Sequence, residues 1–288
     1  MKTRLQLLVI LLLLLFVQSG LCAEMKPISS SRANAVRVKV PSLDSAGTAF
    51  FLDGEHVITA FHVVGKVNID KSRTPPEAQL TTGTDISVVL GTGEEIPAQI
   101  VAPRLTQTLF KLTDVLPESL SVPITKDFAI LKLRQKPKSS IIPNPLLRGK
   151  PLPPIGSEVV FSGYPLKSPT MLTHKGMISG ITDDQAVICI EAPINKGNSG
   201  GSLLNEQGEV IGIITNREGG ISKGLDELVV YINETRKRGG VAIIGVNPLD
   251  VIQELIKTLD IYISPGIGYA RTIKHIVDYI DRNPEILK

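Results

Sequence analysis

Two sets of short apolar runs, each five to seven residues long and each cut off by turn residues, restrict this chain more than any other feature. The first set is VRVKV (36–40), TAFFL (48–52), HVITA (56–60), ISVVL (86–90), IPAQIV (96–101) and FAILKL (128–133). The second is EVVFSG (158–163), GMISGI (176–181), AVICIE (186–191), GSLLN (201–205), EVIGIIT (209–215) and VAIIGV (241–246). Runs of this length, broken by Asp53-Gly54 or by GTGEE at 91–95, fit antiparallel barrels or sandwiches and not alternating β and α units. Between the sets lies KPKSSIIPNPLLRGKPLPPIG, and proline cannot donate to a β ladder, so this stretch reads as a crossing linker. The predicted layout is a first β unit over 24–142, a linker over 143–157, a second β unit over 158–247 and a helical segment over 248–288. In that last segment Val251, Ile252, Leu255, Ile256 and Leu259 share one helix face, and Ile273, Ile276, Val277 and Ile280 share the face of another. Both stripes are expected to pack on the β units.

Residues 1–23 stand apart from this pattern. Lys2 and Arg4 precede an unbroken apolar run from Leu7 to Val17, followed by small residues up to Ala23. This is the make-up of a secretory signal peptide cleaved after Ala23, which predicts a secreted or periplasmic protein; left uncleaved, the segment is a membrane anchor. Cleavage removes two of 31 basic residues and leaves 29 − 28 = +1, so nucleic acid and anionic membrane are not expected partners. It also leaves Cys189 as the single cysteine, so no intrachain disulfide forms. Cys189 sits in the apolar run AVICIEA and reads as a small buried hydrophobe. With 42% hydrophobic and 20% charged residues the chain is an ordinary folded one, not a disordered segment.

Three segments carry chemistry. In NKGNSGGSLLN, glycines flank Ser199, so the backbone can turn tightly and aim N–H groups into a cavity beside the hydroxyl. In VITAFHVV, His62 follows directly on the end of a strand. In KDFAILKL, Asp127 directly precedes one. A nucleophile, a base and an acid that orients the base are what acyl transfer at neutral pH requires. No His, Cys or acidic cluster has metal-ligand spacing, and no cofactor motif is present, so neither metal nor cofactor is expected.

With these motifs in view the chain resembles the trypsin-like (chymotrypsin-fold) serine peptidases, and within them the HtrA/Deg family. GTAFFLDGEHVITAFHVV, DFAILKL, IGSEVVFSGYP, THKGMISGI and EAPINKGNSGGSLLNEQGEVIGIIT carry the resemblance, which covers roughly 45–260. It implies an all-β fold of two six-stranded antiparallel barrels with C-terminal helices. It implies His62, Asp127 and Ser199 as the catalytic triad, in the order that fold uses. The oxyanion hole would be built at Gly197, Asn198 and Ser199, through the amides of Gly197 and Ser199, with Thr215 supporting the aspartate. The selectivity pocket would be walled by Pro193, Ile194, Ile213, Ile214, Asn216 and Arg217, and no carboxylate stands at Pro193. That pocket suits a small or medium aliphatic residue before the scissile bond.

The chain also departs from the family pattern. His62 and Asp127 are 127 − 62 = 65 residues apart, longer than usual, with the excess in 103–126. Asp114, in that excess, is a rival for the triad acid. Residues 216–240 read as an exposed loop, and the chain beyond Leu259 is too short for the family's PDZ domain. The expected function is endopeptidase action on extended or unfolded polypeptides, with homo-oligomers possible. The alternatives are a catalytically silent binding protein on the same fold, and an ester or other acyl hydrolase using the same triad.

Overall fold

A computed structural model describes residues 26–165, 168–217, 223–237, 247–262 and 266–288. The leader-like segment 1–23 and the run at 241–246 therefore lie outside the described residues. The first half runs α1 (Lys26–Asn34), β1 (Ala35–Val40), β2 (Ser45–Phe51), β3 (His56–Thr59), α2 (Phe61–Val64), β4 (Gly65–Asp70), β5 (Glu77–Thr82), β6 (Ser87–Val89), β7 (Glu95–Ala102), β8 (Leu109–Lys111), α3 (Glu118–Thr125) and β9 (Ala129–Leu133). The second runs β10 (Glu158–Gly163), β11 (Leu172–Ile181), β12 (Val187–Glu191), β13 (Ser202–Leu204), β14 (Val210–Arg217), α4 (Lys223–Lys237), α5 (Pro248–Tyr262), β15 (Ile267–Thr272) and α6 (Lys274–Arg282).

Two closed, six-stranded antiparallel barrels result. Their strand orders are β1-β2-β3-β9-β7-β6 and β10-β11-β12-β15-β14-β13. In β1 the alternation is plain, with Val36, Val38 and Val40 turned into the first barrel and Arg37 and Lys39 turned outward. Strand β9 is buried on both faces. Ala129 and Leu131 fill the first barrel, while Ile130 joins Phe50, Ile58 and Phe128 in a core continuous with Phe161, Leu203 and Ile214 of the second. Each such buried side chain contributes about 1.5–3 kcal/mol, so the seam between the barrels is held as firmly as their interiors. Helix α1 closes one end of it: Ser31 Oγ donates to Ser162 Oγ at 2.8 Å, and Asn34 Oδ1 accepts the Phe51 N–H at 3.1 Å.

Several sequence expectations are corrected. The strand that closes the second barrel is β15, between β12 and β14, so the second β unit does not end at 247 and the segment 248–288 is not wholly helical. β15 carried no apolar signal because its inward positions are the small residues Gly268, Ala270 and Thr272. A side chain on Gly268 would overlap Ile194, which occupies that space. The loop expected over 216–240 instead contains the end of β14 and helix α4. β4, β5 and β8 form a separate three-stranded sheet. Cys189 is only partly buried, since alternation along β12 sends Ile188 and Ile190 inward and Cys189 outward. On α5, Ile256 is buried, but Val251, Ile252 and Leu255 are exposed. That helix is tied to α4, through Arg236 with Asp250 and Gln253 with Asn233, more than to a barrel. No helix among the described residues is long and apolar enough to cross a membrane.

Helix α6 packs as expected, burying Ile276, Val277, Tyr279 and Ile280. Tyr279 meets Phe128 edge to face at 5.3 Å, and its hydroxyl donates to the Ser119 carbonyl of α3 at 3.0 Å. Arg282 pairs with Glu118, also on α3. Burial pushes the Tyr279 phenol up to about 12 from an ordinary 10. The unfolded chain therefore gives up this proton first. The stabilisation is whole below the unfolded value, and is lost as pH rises through the folded one. We expect Tyr279→Phe to cost about 1 kcal/mol at neutral pH. It should also flatten the fall in melting temperature between about pH 10 and about pH 12. Equal slopes for the two proteins would mean that Tyr279 does not set the alkaline limit.

Candidate active site

His62 is carried by the single turn of α2 immediately after β3. Its neighbours anchor that turn from both sides: Val63 and Val64 lie in the core of the first barrel, and Phe61 lies in a small cluster with Ala78, Leu80, Phe110 and Leu120. His62 is the exposed position of the turn.

Asp127 meets His62 at two points. Its Oδ1 accepts the His62 backbone N–H at 3.0 Å, and its Oδ2 lies 2.8 Å from Nδ1. A carboxylate there selects the tautomer with the proton on Nδ1 and leaves Nε2 free to act as a base. The rival Asp114 is occupied in its own turn, where it accepts the Lys111 N–H at 2.8 Å.

The backbone around Asp127 explains the long insertion before it. Asp127 has φ +53°, its N–H donates to Ile124 O at 3.3 Å, and the Phe128 N–H donates to Pro123 O at 2.9 Å. This is a Schellman ending of α3, with Asp127 in the left-handed position that glycine usually takes. Asp is among the few side chains that tolerate it. So the extra residues before Asp127 form, at their end, the helix on which the acid terminates.

Ser199 stands in a turn between two glycines of positive φ, Gly197 at +100° and Gly200 at +88°. A side chain on Gly200 would overlap the Thr48 carbonyl and the Thr59 hydroxyl, so the turn is pressed against the first barrel. The N–H groups of Gly197 and Ser199 donate to no acceptor among the described residues. The Asn198 N–H, by contrast, is taken by Asn195 O at 3.0 Å. The Asn198 side chain is fully buried and has no hydrogen-bond partner among the described residues. Ser199 Oγ donates to the Thr215 carbonyl at 3.3 Å.

The remaining expected positions sit as follows. Thr215 is buried at a bulge of β14 and its hydroxyl donates to Tyr269 O at 3.5 Å rather than to Asp127. Pro193 is exposed, whereas Ile194, Ile213 and Ile214 belong to the shared core. Asn216 and Arg217 continue β14 opposite Tyr269 and Gly268 of β15. Thr48 carries no mark of function in the sequence, yet it holds the serine turn. Its N–H donates to the Ser199 carbonyl at 2.8 Å and its hydroxyl to the Gly197 carbonyl at 2.7 Å. No local pattern marks such a residue, because its partner is 149 residues away.

Comparison with known proteins agrees with the fold. A 180-residue stretch is 27% identical to the uncharacterized protein y4bJ of Sinorhizobium fredii, covering 60% of this chain and 22% of that protein. A 70-residue stretch is 41% identical to the chloroplastic protease Do-like 2 of Arabidopsis thaliana, covering 22% of this chain and 12% of that one. The chain thus matches less than a quarter of either relative. Among solved structures, the Rv3671c protease in an inactive form is 16% identical, with a TM-score of 0.51 over 89% of this chain and 91% of that chain. An inactive mutant of Rv3671c from M. tuberculosis H37Rv gives a TM-score of 0.50 at 16% identity, over 89% of each chain. The family model for the trypsin-like peptidase domain matches residues 47–213, more than half of the sequence, and the chain belongs to that family.

Proposed function

We propose that the chain is a serine endopeptidase in which Ser199 is the nucleophile, His62 the general base and Asp127 the group that orients His62. The observation that carries this reading is the two-point bond from Asp127 to the ring and backbone of His62, beside a serine turn whose Gly197 and Ser199 amides meet no acceptor among the described residues. In this reading the Ser199 hydroxyl leaves Thr215 O, to which it donates at 3.3 Å, and turns to His62 Nε2. Oγ then attacks the scissile carbonyl carbon and its proton passes to Nε2. The two amides donate to the oxyanion, and the imidazolium returns the proton to the leaving amine as the C–N bond breaks. Water, activated by the same nitrogen, hydrolyses the acyl-enzyme. The substrates are extended polypeptide segments. The chain works after export, a reading that rests on residues 1–23.

The preference before the scissile bond is for a small or medium aliphatic residue. This reading is supported by Ile194, the apolar residue five before Ser199, which packs over Gly268, and by Glu191, the nearest acid in sequence, which is exposed at the end of β12. An unpaired Lys or Arg would be desolvated there without a counter-charge, at a cost of several kcal/mol, roughly enough to exclude it.

Ser199→Ala should lower kcat by about 10⁴- to 10⁶-fold while melting like the parent protein. Asp127→Asn should lower it by roughly 10⁴-fold, whereas Asp114→Asn leaves it intact. A Ser199→Ala protein retaining more than a few per cent of the rate, or an Asp114 variant as damaged as the Asp127 one, would overturn the assignment. For specificity, the cleavage products of casein should end predominantly in Val, Ala, Leu or Ile. A majority ending in Lys, Arg or Glu refutes the aliphatic pocket.

A further inference from the structure

We infer that Thr48 is the positioning residue of the oxyanion hole: its hydroxyl, from the first barrel, sets the serine turn of the second. The inference rests on the serine-peptidase reading above. Thr48 lies on β2, is fully buried, and uses every polar group it has. Its N–H donates to Ser199 O at 2.8 Å, and its carbonyl accepts the Thr59 hydroxyl at 2.8 Å. Its own hydroxyl donates to Gly197 O at 2.7 Å and accepts the Tyr164 N–H at 3.1 Å. A hydroxyl has one proton to give, and here that proton is committed to the peptide immediately after Gly197, so its rotation is locked.

The consequence for the site is geometric. The two amides proposed to face the oxyanion belong to Gly197 and Ser199, and Thr48 holds the carbonyl of each of those same residues. With φ +100° at Gly197, that residue has no side chain to restrain the peptide, and the conformational freedom of glycine would let it rotate. The Thr48 hydroxyl supplies the restraint from outside the loop. The hydroxyl is closely packed, since Gly163 would overlap both Thr48 Oγ1 and the Asn198 side chain if it carried a Cβ. Oxyanion donors act only when they are already aimed at the point where charge develops, and a shift on the order of 1 Å can cost 100-fold. Thr48 touches neither substrate nor reacting atoms. It acts through Gly197 and Ser199.

The test uses the full chain with Thr48→Val, which keeps the shape and removes the hydroxyl, and Thr48→Ser, which keeps the hydroxyl. Three quantities are measured: the rate of Ser199 labelling by a fluorophosphonate, kcat and KM on an aliphatic peptide, and affinity for a peptide aldehyde whose adduct carries the oxyanion. Thr48→Val should lose about 10- to 100-fold in labelling rate, in kcat and in aldehyde affinity together, with KM within about twofold. Thr48→Ser should return each to within about threefold of the parent. If Thr48→Val only lowers the melting temperature, or loses KM without kcat, Thr48 is structural and the inference falls. If the parent labels at Ser199 and Thr48→Val labels equally fast, this inference falls alone. If the parent itself fails to label, the serine-peptidase reading falls and takes this one with it.

Discussion

The rest of the structure depends on the seam between the barrels. Neither barrel carries all three groups of the proposed site: His62 and Asp127 come from the first, and Ser199 from the second. What brings them together is a core that crosses from Phe50, Ile58, Phe128 and Ile130 to Phe161, Leu203 and Ile214. Hydrophobic burial is not directional, so it can press the barrels together but cannot set the position of a hydroxyl to a fraction of an ångström. Direction comes from the hydrogen bonds laid across the seam, above all those from Thr48 to the carbonyls of Ser199 and Gly197. Apolar contact supplies most of the stability and a few polar links supply the register.

Left-handed backbone also stands beside the candidate catalytic groups. Asp127 takes the left-handed conformation at the end of α3, and Gly197 and Gly200 take positive φ on either side of Ser199. Such positions persist only where the surroundings over-determine them. For Asp127 the surroundings are α3 and the helix laid across it. Leu120 and Phe128 are fully buried, Tyr279 bonds Ser119, and Arg282 pairs with Glu118. The C-terminal helix of the second half thereby helps to hold the acid of the first. For the serine turn the surroundings are β2 and β3, whose Thr48 carbonyl and Thr59 hydroxyl lie where a side chain on Gly200 would be.

Much of the fold was legible because it follows from local pattern. The six strands of the first barrel coincide with the six apolar runs, and five of the second do as well. Alternation and turn residues are properties of neighbours in sequence, so they can be read without knowing what the strand packs on. β15 was missed for the opposite reason. Its first inward residue is a glycine because Ile194 already fills the space above Gly268, and that is a fact about a segment more than 70 residues earlier.

The site divides along the same line. The sequence by itself determined the three chemistry-bearing segments, because a histidine after a strand, an aspartate before one and a serine between glycines are local arrangements. It also determined that the first barrel needs an extra excursion before Asp127. Only the tertiary structure decided what that excursion does, namely end a helix on the aspartate. Only it decided that Thr215 bonds Tyr269 and that Thr48 holds the serine turn. Hydrogen bonds of that kind join residues brought together by the closing of two barrels, and no spacing along the chain encodes their distances.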